Sequence, residues 1–178
     1  AAIAAVMLQA SDFENKMFKG LPEVSLGWIF VVLLAVVLVG ALVGLVNGYF
    51  VAKFSLHPFI VTLSTQLITY GVILWFFGLN GNNGQPFSGL SRPYKDFVGG
   101  ELFRLGNVAV PMYVLYSTIL VIVMWVIWNK TKFGKNMFAV GSNEEAAHVS
   151  GVNVFLTIVM VFMLAGAMYG ITGFIDGA

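Results

Sequence analysis

The stretch "LGWIFVVLLAVVLVGALVGLVNGYFVA", residues 26–52, decides the fold class because it runs for 27 residues without one charged side chain. At about 1.5 Å of rise per residue, a helix of this length extends roughly 40 Å. The hydrocarbon core of a bilayer is about 30 Å thick, so such a helix can cross it with some tilt or overhang. The stretch therefore predicts a transmembrane helix.

The whole chain has the composition of a membrane protein, since 59% of its 178 residues are hydrophobic and only 10% are charged. Soluble domains are about a quarter charged. Besides 26–52, hydrophobic stretches predict full spans near 58–78, 111–128 and 152–175, and a partial span at 1–10. Lipid offers no partner for backbone polar groups, so these segments are expected to be helical. The sequence predicts an all-α, polytopic bundle of about four full spans and one partial span, forming a single transmembrane domain over 1–178.

Both ends of the sequence predict a fragment of a longer chain, because it has no initiator Met and no polar tail after the last span. Alternation of the spans puts residues 11–25 and the long loop 79–110 on one side of the membrane. Residues 53–57 and the segment 129–151, called the polar insert below, fall on the other side.

Basic residues orient these two sides only weakly, because the first side carries five and the second four. Their positions are more informative. Lys130, Lys132 and Lys135 follow the span directly, which favours a cytoplasmic polar insert and puts Trp125 and Trp128 in the inner aromatic belt.

Small residues predict close helix packing at two places in the spans. The first set is spaced four residues apart: Gly40, Gly44 and Gly48. A weaker set at the end of the chain is Gly166 and Gly170 with Gly173 and Gly177. Such spacing lets two backbones approach closely in lipid. Asn47 lies beside the first set and is expected to bond a neighbouring helix.

A polar stripe follows one face of the span that begins "PFIVTLSTQLITYG". Its members recur at helical spacing: Thr62, Thr65, Gln66 and Thr69. Hydroxyls and an amide suit a translocation path for a neutral, hydroxyl-rich solute. Hydrogen bonding between helices, or back to the same helix, is the simpler explanation of the stripe. Both readings stay open at the level of sequence.

Several classes of function are disfavoured by what the sequence lacks. No Asp, Glu, Lys or Arg lies in the middle of a span, which argues against proton or sodium coupling. The only Gly-Lys pair, Gly134–Lys135, has Asn129 where a phosphate-binding loop needs its first glycine. His57 and His148 lie in separate loops, and the net charge is +1. We therefore expect no catalytic site, no metal or cofactor site and no nucleic-acid partner.

The polar insert contains a short predicted helix within "NKTKFGKNMFAVGSNEEAAHVSGVN", residues 129–153. Ser142 and Glu145 fit a capping box, Glu144 favours the helix N-terminus, and Gly151 is placed to end the helix in a left-handed conformation. About eight residues are then helical, which is too few for stability in isolation. The helix must dock on its own domain or on another protein, and we expect it to present Ala146, Ala147 and Val149.

With these motifs, the chain resembles the permease subunits of bacterial ABC sugar importers of the ribose, xylose and galactose group, most nearly those for galactose and methyl galactoside. The resemblance covers essentially the whole chain, as the middle part of a longer permease. It is carried by "GLVNGYFVAKFSLHPFIVTLSTQLITYG" (44–71), "WNKTKFGKNMFAVGSNEEAAHVSGVNV" (128–154) and "LAGAMYGITGFIDGA" (164–178). One departure is Ser64, where we expect relatives to favour Gly.

The resemblance implies that the polar insert carries a coupling helix that sits in a groove of a cytoplasmic ABC ATPase. The residues that would form it are Gly141, Asn143, Glu144, Glu145, Ala146, Ala147, Ser150 and Gly151. It also implies a periplasmic sugar-binding protein on the outer loops, a second permease subunit in a homodimer, and a location in the bacterial inner membrane. ATP hydrolysis would belong to the partner, so the permease is not itself an enzyme.

Other functions remain open from the residues alone. A channel or facilitator for small polar solutes would also have uncharged spans and a polar stripe, and a membrane-anchored structural protein is a third possibility. Within the importers, a ribose or xylose permease is the alternative.

Overall fold

The structure is a computed structural model, and it describes residues 1–9, 23–78, 89–105 and 108–178. These residues form helices and one antiparallel hairpin. The elements are α1 (Ala2–Met7), α2 (Leu26–Phe54), α3 (Pro58–Gly78), α4 (Arg92–Gly99), β1 (Glu101–Leu105), β2 (Val108–Pro111), α5 (Met112–Lys130), α6 (Lys132–Ser142), α7 (Glu144–Val149) and α8 (Val154–Ile175).

Four helices are long and apolar enough to cross a membrane: α2, α3, α5 and α8. This confirms the predicted fold class and the number of full spans. The described part of the stretch 1–10 contains only the six-residue α1, which by itself is too short to cross.

Helices α2 and α8 form the closest helix pair, because glycines line their crossing. A Cβ atom built on Gly40 would overlap the carbonyl of Gly166, and one built on Gly166 would overlap the carbonyl of Gly40. Further along, a Cβ on Gly48 would lie 2.9 Å from the Cα of Val159. Each contact is with backbone, which has no rotamer by which to withdraw. The two helices can therefore touch only while these positions have no side chain.

A buried cluster lies at the end of this pair where α8 finishes. Its members come from α1, the start of α2, α4 and the last turn of α8: Ala4, Leu8, Ile29, Val32, Val36, Tyr94, Val98 and Phe174. Most large apolar side chains of α3 and α5 are instead exposed, and α5 has no buried residue. Exposure of that kind is expected of helices whose outer face meets lipid or other membrane helices.

Both predicted loops contain secondary structure. The loop 79–110 holds α4 and the β1–β2 hairpin, while its residues 79–88 and 106–107 lie outside the described part of the chain. The polar insert forms two helices, α6 and α7, where the sequence predicted one.

Candidate functional site

The helix α7 begins at an asparagine cap. Asn143 has an extended backbone, with φ −161° and ψ 111°, and its Oδ1 accepts a hydrogen bond of 2.9 Å from the backbone N–H of Ala146. The predicted capping box on Ser142 is wrong, because α6 continues to Ser142 and the serine hydroxyl donates to the Phe138 carbonyl at 2.8 Å. The helix that follows is six residues long rather than eight.

The predicted end of α7 at Gly151 is confirmed, since this residue has a φ of +81°. Its N–H donates to the carbonyl of His148, and the N–H of Val152 donates to that of Ala147, both at 3.0 Å. This pair of bonds is a Schellman motif, which satisfies carbonyls that the helix end would leave open. Ser150 adds a hydroxyl bond of 2.8 Å to the Ala146 carbonyl. The short helix is thus fixed at both ends.

The exposed face of α7 is acidic and apolar. Glu144, Glu145 and Ala146 are exposed, and Val149 is 88% exposed. Ala147 is only 3% exposed, so the expectation that it is presented for docking is wrong. It faces the protein because α7 packs on α6 and α8.

A cavity of about 480 Å³ lies behind this helix. Its lining includes Ser55, Leu56 and His57 from the turn between α2 and α3, and Gly141 and Glu144 from the polar insert. The turn is tight, because Ser55 adopts a left-handed conformation at φ 50°. The two segments that alternation put on one side of the membrane therefore line one cavity.

The polar insert is connected closely to the central helix pair. Asn153 caps α8 by accepting a hydrogen bond of 2.9 Å from the N–H of Leu156. Only residues 150–153 separate α7 from α8. Along α8, Gly166 contacts α2 as described, and a Cβ on Gly170 would lie 2.8 Å from the Val36 carbonyl oxygen. Helix α7 is therefore joined to α8 by a short segment, and α8 contacts α2 through the glycine crossing.

Two of the four side chains in the polar stripe of α3, those of Thr62 and Thr65, form hydrogen bonds in the described structure. Thr62 donates to the carbonyl of Pro58 at 2.9 Å, within its own helix. Thr65 bonds the Asn47 side chain of α2 at 2.5 Å, which confirms the expected interhelical contact of that asparagine. Gln66 and Thr69 are exposed. Ser64, where we expect relatives to favour Gly, bonds its own helix by donating to the Ile60 carbonyl at 2.9 Å.

At the far end of α8, helix α4 is bonded to the spans. The buried hydroxyl of Tyr94 donates to the carbonyl of Phe174, and the two rings meet edge to face with centroids 5.1 Å apart. Burial, followed by the negative charge of Asp176, raises the pKa of Tyr94 from 10.0 to about 12. On α5, the Tyr116 hydroxyl donates to the Phe97 carbonyl at 2.8 Å. Helix α4 thus caps the end of the bundle opposite to α7.

Sequence reasoning missed two features of these ends: the docking of α4 and the separate helix α6. Helix α6 had a signal in the sequence, because Thr131 precedes "KFGK" and caps the helix by accepting a hydrogen bond of 3.1 Å from the N–H of Gly134. The docking of α4 had no signal in the local sequence, since the partner of Tyr94 lies 80 residues away. Among the described residues, no group of three or more His, Asp or Glu side chains could hold a metal ion.

Comparison with known proteins identifies the family. Residues 1–176 match the family described as branched-chain amino acid transport system / permease component. The galactose/methyl galactoside import permease of Haemophilus influenzae is 41% identical over 99% of this chain and 51% of its own length. The corresponding protein of Escherichia coli is 40% identical over the same shares.

A more distant relative, the D-allose transport system permease of Escherichia coli, is 33% identical over 80% of this chain and 40% of its own length. The chain spans about half the length of the curated relatives it matches first. No solved structure matches it significantly. With its four candidate spans, the chain is a multi-pass membrane protein that belongs to the branched-chain amino acid transport system / permease component family.

Proposed function

We propose that this chain forms part of the membrane permease of an ATP-driven importer of galactose or methyl galactoside in the bacterial inner membrane. One observation carries the choice of sugar. Identity is 40–41% over nearly the whole chain to permeases named for galactose and methyl galactoside, and 33% over shorter stretches to those named for allose and ribose. The permease itself would hydrolyse nothing.

In this proposal α7 is the coupling helix for a cytoplasmic ABC ATPase. Support comes from its exposed acidic and apolar face, with Val149 88% exposed, and from the fixed caps at Asn143 and Gly151. A helix this short is unstable alone, yet here both of its ends are capped and only residues 150–153 separate it from α8. Such an arrangement suits a lever that converts movement of the ATPase into movement of α8 and α2.

The outer end would face the periplasm. There α4 and the hairpin, within the loop 79–110, would offer a surface for a periplasmic sugar-binding protein. The exposed apolar faces of α3 and α5 would meet lipid, the remainder of a longer permease or a second permease subunit. Thr62, Gln66 and Thr69 are the exposed members of the polar stripe, and the Thr62 hydroxyl already donates to the Pro58 carbonyl. Gln66 and Thr69 are therefore our first candidates for the translocation path.

The coupling role can be tested by cysteine crosslinking, because the chain has no native cysteine. A cysteine replaces Val149 in the full-length permease and is paired with a cysteine in the groove of the ATPase. A matched control replaces Asp96, an exposed residue on α4, at the opposite end of the bundle. We expect crosslinking at Val149 with a yield that changes with ATP, and none at Asp96. Intact sugar uptake with no crosslink at Val149 in any nucleotide state would rule out this role for α7.

The transport reaction is tested by uptake of radiolabelled galactose into cells with and without the ATPase. We expect uptake to require the ATPase, and unlabelled methyl galactoside to compete where ribose does not. Uptake that persists without the ATPase would instead support a facilitator, and competition by ribose alone would favour a ribose importer.

A further inference from the structure

A fixed corner joins α5 to α6 at the membrane-facing end of the polar insert. Thr131 breaks the helix with an extended backbone, and its hydroxyl donates to the Ile127 carbonyl at 2.5 Å. A Cβ on Gly134 would lie 2.6 Å from that same carbonyl oxygen and still closer to that of Trp128. The first turn of α6 therefore rests directly on the last turn of α5, and α6 leaves the span at a set angle.

Among the residues that the structure describes, the lysines at this corner have no acidic partner. Lys130, Lys132 and Lys135 are exposed, and the ion pair found among the described residues joins Arg104 and Glu101 elsewhere. The sequence has no Asp or Glu between Glu101 and Glu144. Three positive charges thus lie within six residues at the end of a span, without local compensation.

Exposed aromatic rings surround these charges. Trp125 is 54% exposed, Trp128 46% and Phe138 61%. The Trp128 and Phe138 rings stack with centroids 6.3 Å apart, which joins the end of α5 to α6. The Nζ atom of Lys130 lies 5.5 Å from the ring centroid of Trp125. Indole rings at the end of a span favour the headgroup level of a bilayer, where one edge is apolar and the other wet.

We propose that this basic corner, formed by Lys130, Lys132 and Lys135 with the rings of Trp125, Trp128 and Phe138, binds the headgroups of anionic phospholipids in the adjacent leaflet. Charge complementarity commits the site to an anionic headgroup, since a basic cluster directly after a span attracts such lipids. The exposed rings favour a membrane rather than an acidic protein surface as the partner, because they extend the apolar surface of α5. The lipid would hold α6, and so the base of the polar insert, at a fixed depth. This inference goes beyond the transport function and does not depend on which solute is carried.

The test measures lipid preference at the corner by quenching of tryptophan fluorescence. The full-length permease is reconstituted in phosphatidylcholine bilayers that contain the same mole fraction of brominated phosphatidylglycerol or brominated phosphatidylcholine. We expect at least about a fivefold preference for the anionic lipid, which is the factor that a single lysine near such a surface contributes. The preference should fall towards one when the three lysines are replaced by glutamine, and also in high salt.

Two control variants make the result specific. Replacement of the same three lysines by arginine keeps the charge and should keep the preference. Replacement of Arg92 and Lys95 by glutamine removes two charges at the opposite end, on α4, and should leave the preference at the corner unchanged. Every tryptophan outside the corner, including Trp28 and Trp75, is the same in all variants, so a change in lipid preference between variants is assigned to the corner.

The proposal is overturned if the wild-type protein shows no preference, or if the glutamine variant keeps it. Loss of ATPase binding in the glutamine variant with an unchanged lipid preference would assign the lysines to a protein surface, and would also overturn it. A lysine-dependent preference in a protein that fails the uptake test would leave this inference standing while the transport function falls.

Discussion

Replacement of Gly44 by alanine tests whether the α2–α8 crossing holds the bundle together. The new Cβ would lie 2.9 Å from the carbonyl carbon of Phe162 and 3.0 Å from the Cα of Met163, and its oxygen neighbour at Phe162 is closer still. Ordinary contact begins at 3.4 Å, so the carbonyl carbon alone requires a separation of about 0.5 Å, and the closer oxygen requires more. A gap of 0.5–1 Å loses roughly a quarter to a half of the dispersion attraction between the facing atoms.

The expected net loss of stability is about 2 kcal/mol. Overpacking typically destabilises by about 1–3 kcal/mol, and the upper part of that range applies because the opposing atoms are backbone. The higher helix propensity of alanine returns up to about 1 kcal/mol. For a chain of this size, about 2 kcal/mol lowers Tm by roughly 4–8 °C.

Thermal unfolding in detergent, followed by the fluorescence of the four tryptophans, measures this shift. Gly71→Ala in α3 is the matched control, because a Cβ there would meet nothing within 4 Å. The control should gain up to about 1 kcal/mol from helix propensity alone. If Gly44→Ala is as stable as Gly71→Ala, the crossing is not as tight as the structure has it and the reasoning fails.

Three further predictions concern the ends of the helices. Asn143→Ala should destabilise α7 by about 1 kcal/mol and speed amide exchange there about fivefold, whereas Ser142→Ala should leave this exchange unchanged. Gly151→Ala should lower the free energy of unfolding by about 1 kcal/mol because of the positive φ at this position. Gly141→Ala should have no such cost, because its space is equally open but it lies inside a helix. Chemical unfolding compares the two variants. The buried phenol of Tyr94 has its pKa raised from 10.0 to about 12, so its contribution to stability is fully present below pH 10 and is lost as pH rises through 12. Tm measured against pH should show this alkaline decline in the wild type and a smaller one in Tyr94→Phe, and equal declines would contradict the assignment.

The fold class could be predicted from sequence because membrane spans are encoded locally. Uncharged runs such as 26–52 and 152–175 need no knowledge of their neighbours to be recognised as helices. The glycine spacing indicated which face of α2 packs closely, and the end of α7 at Gly151 followed from the special conformation that glycine allows.

What could not be predicted depends on contacts between distant parts of the chain. The cap of α7 was assigned to Ser142 because the capping pattern was considered without α6, whose last residue is that serine. The burial of Ala147 could not be predicted because it depends on how α7 packs against α6 and α8. The bond from Tyr94 to the end of α8 had no local signature at all.

The α2–α8 crossing also has a consequence for biosynthesis. Helix α2 ends at Phe54 and α8 begins at Val154, so about a hundred residues must be made before the pair can form. At about 5–20 residues per second, α2 waits in the bilayer for roughly 5–20 s before its partner arrives. Insertion of each span depends on its own hydrophobicity, whereas docking of the glycine faces comes later. Substitutions at the crossing should therefore leave the number of inserted helices unchanged and act only on their late assembly.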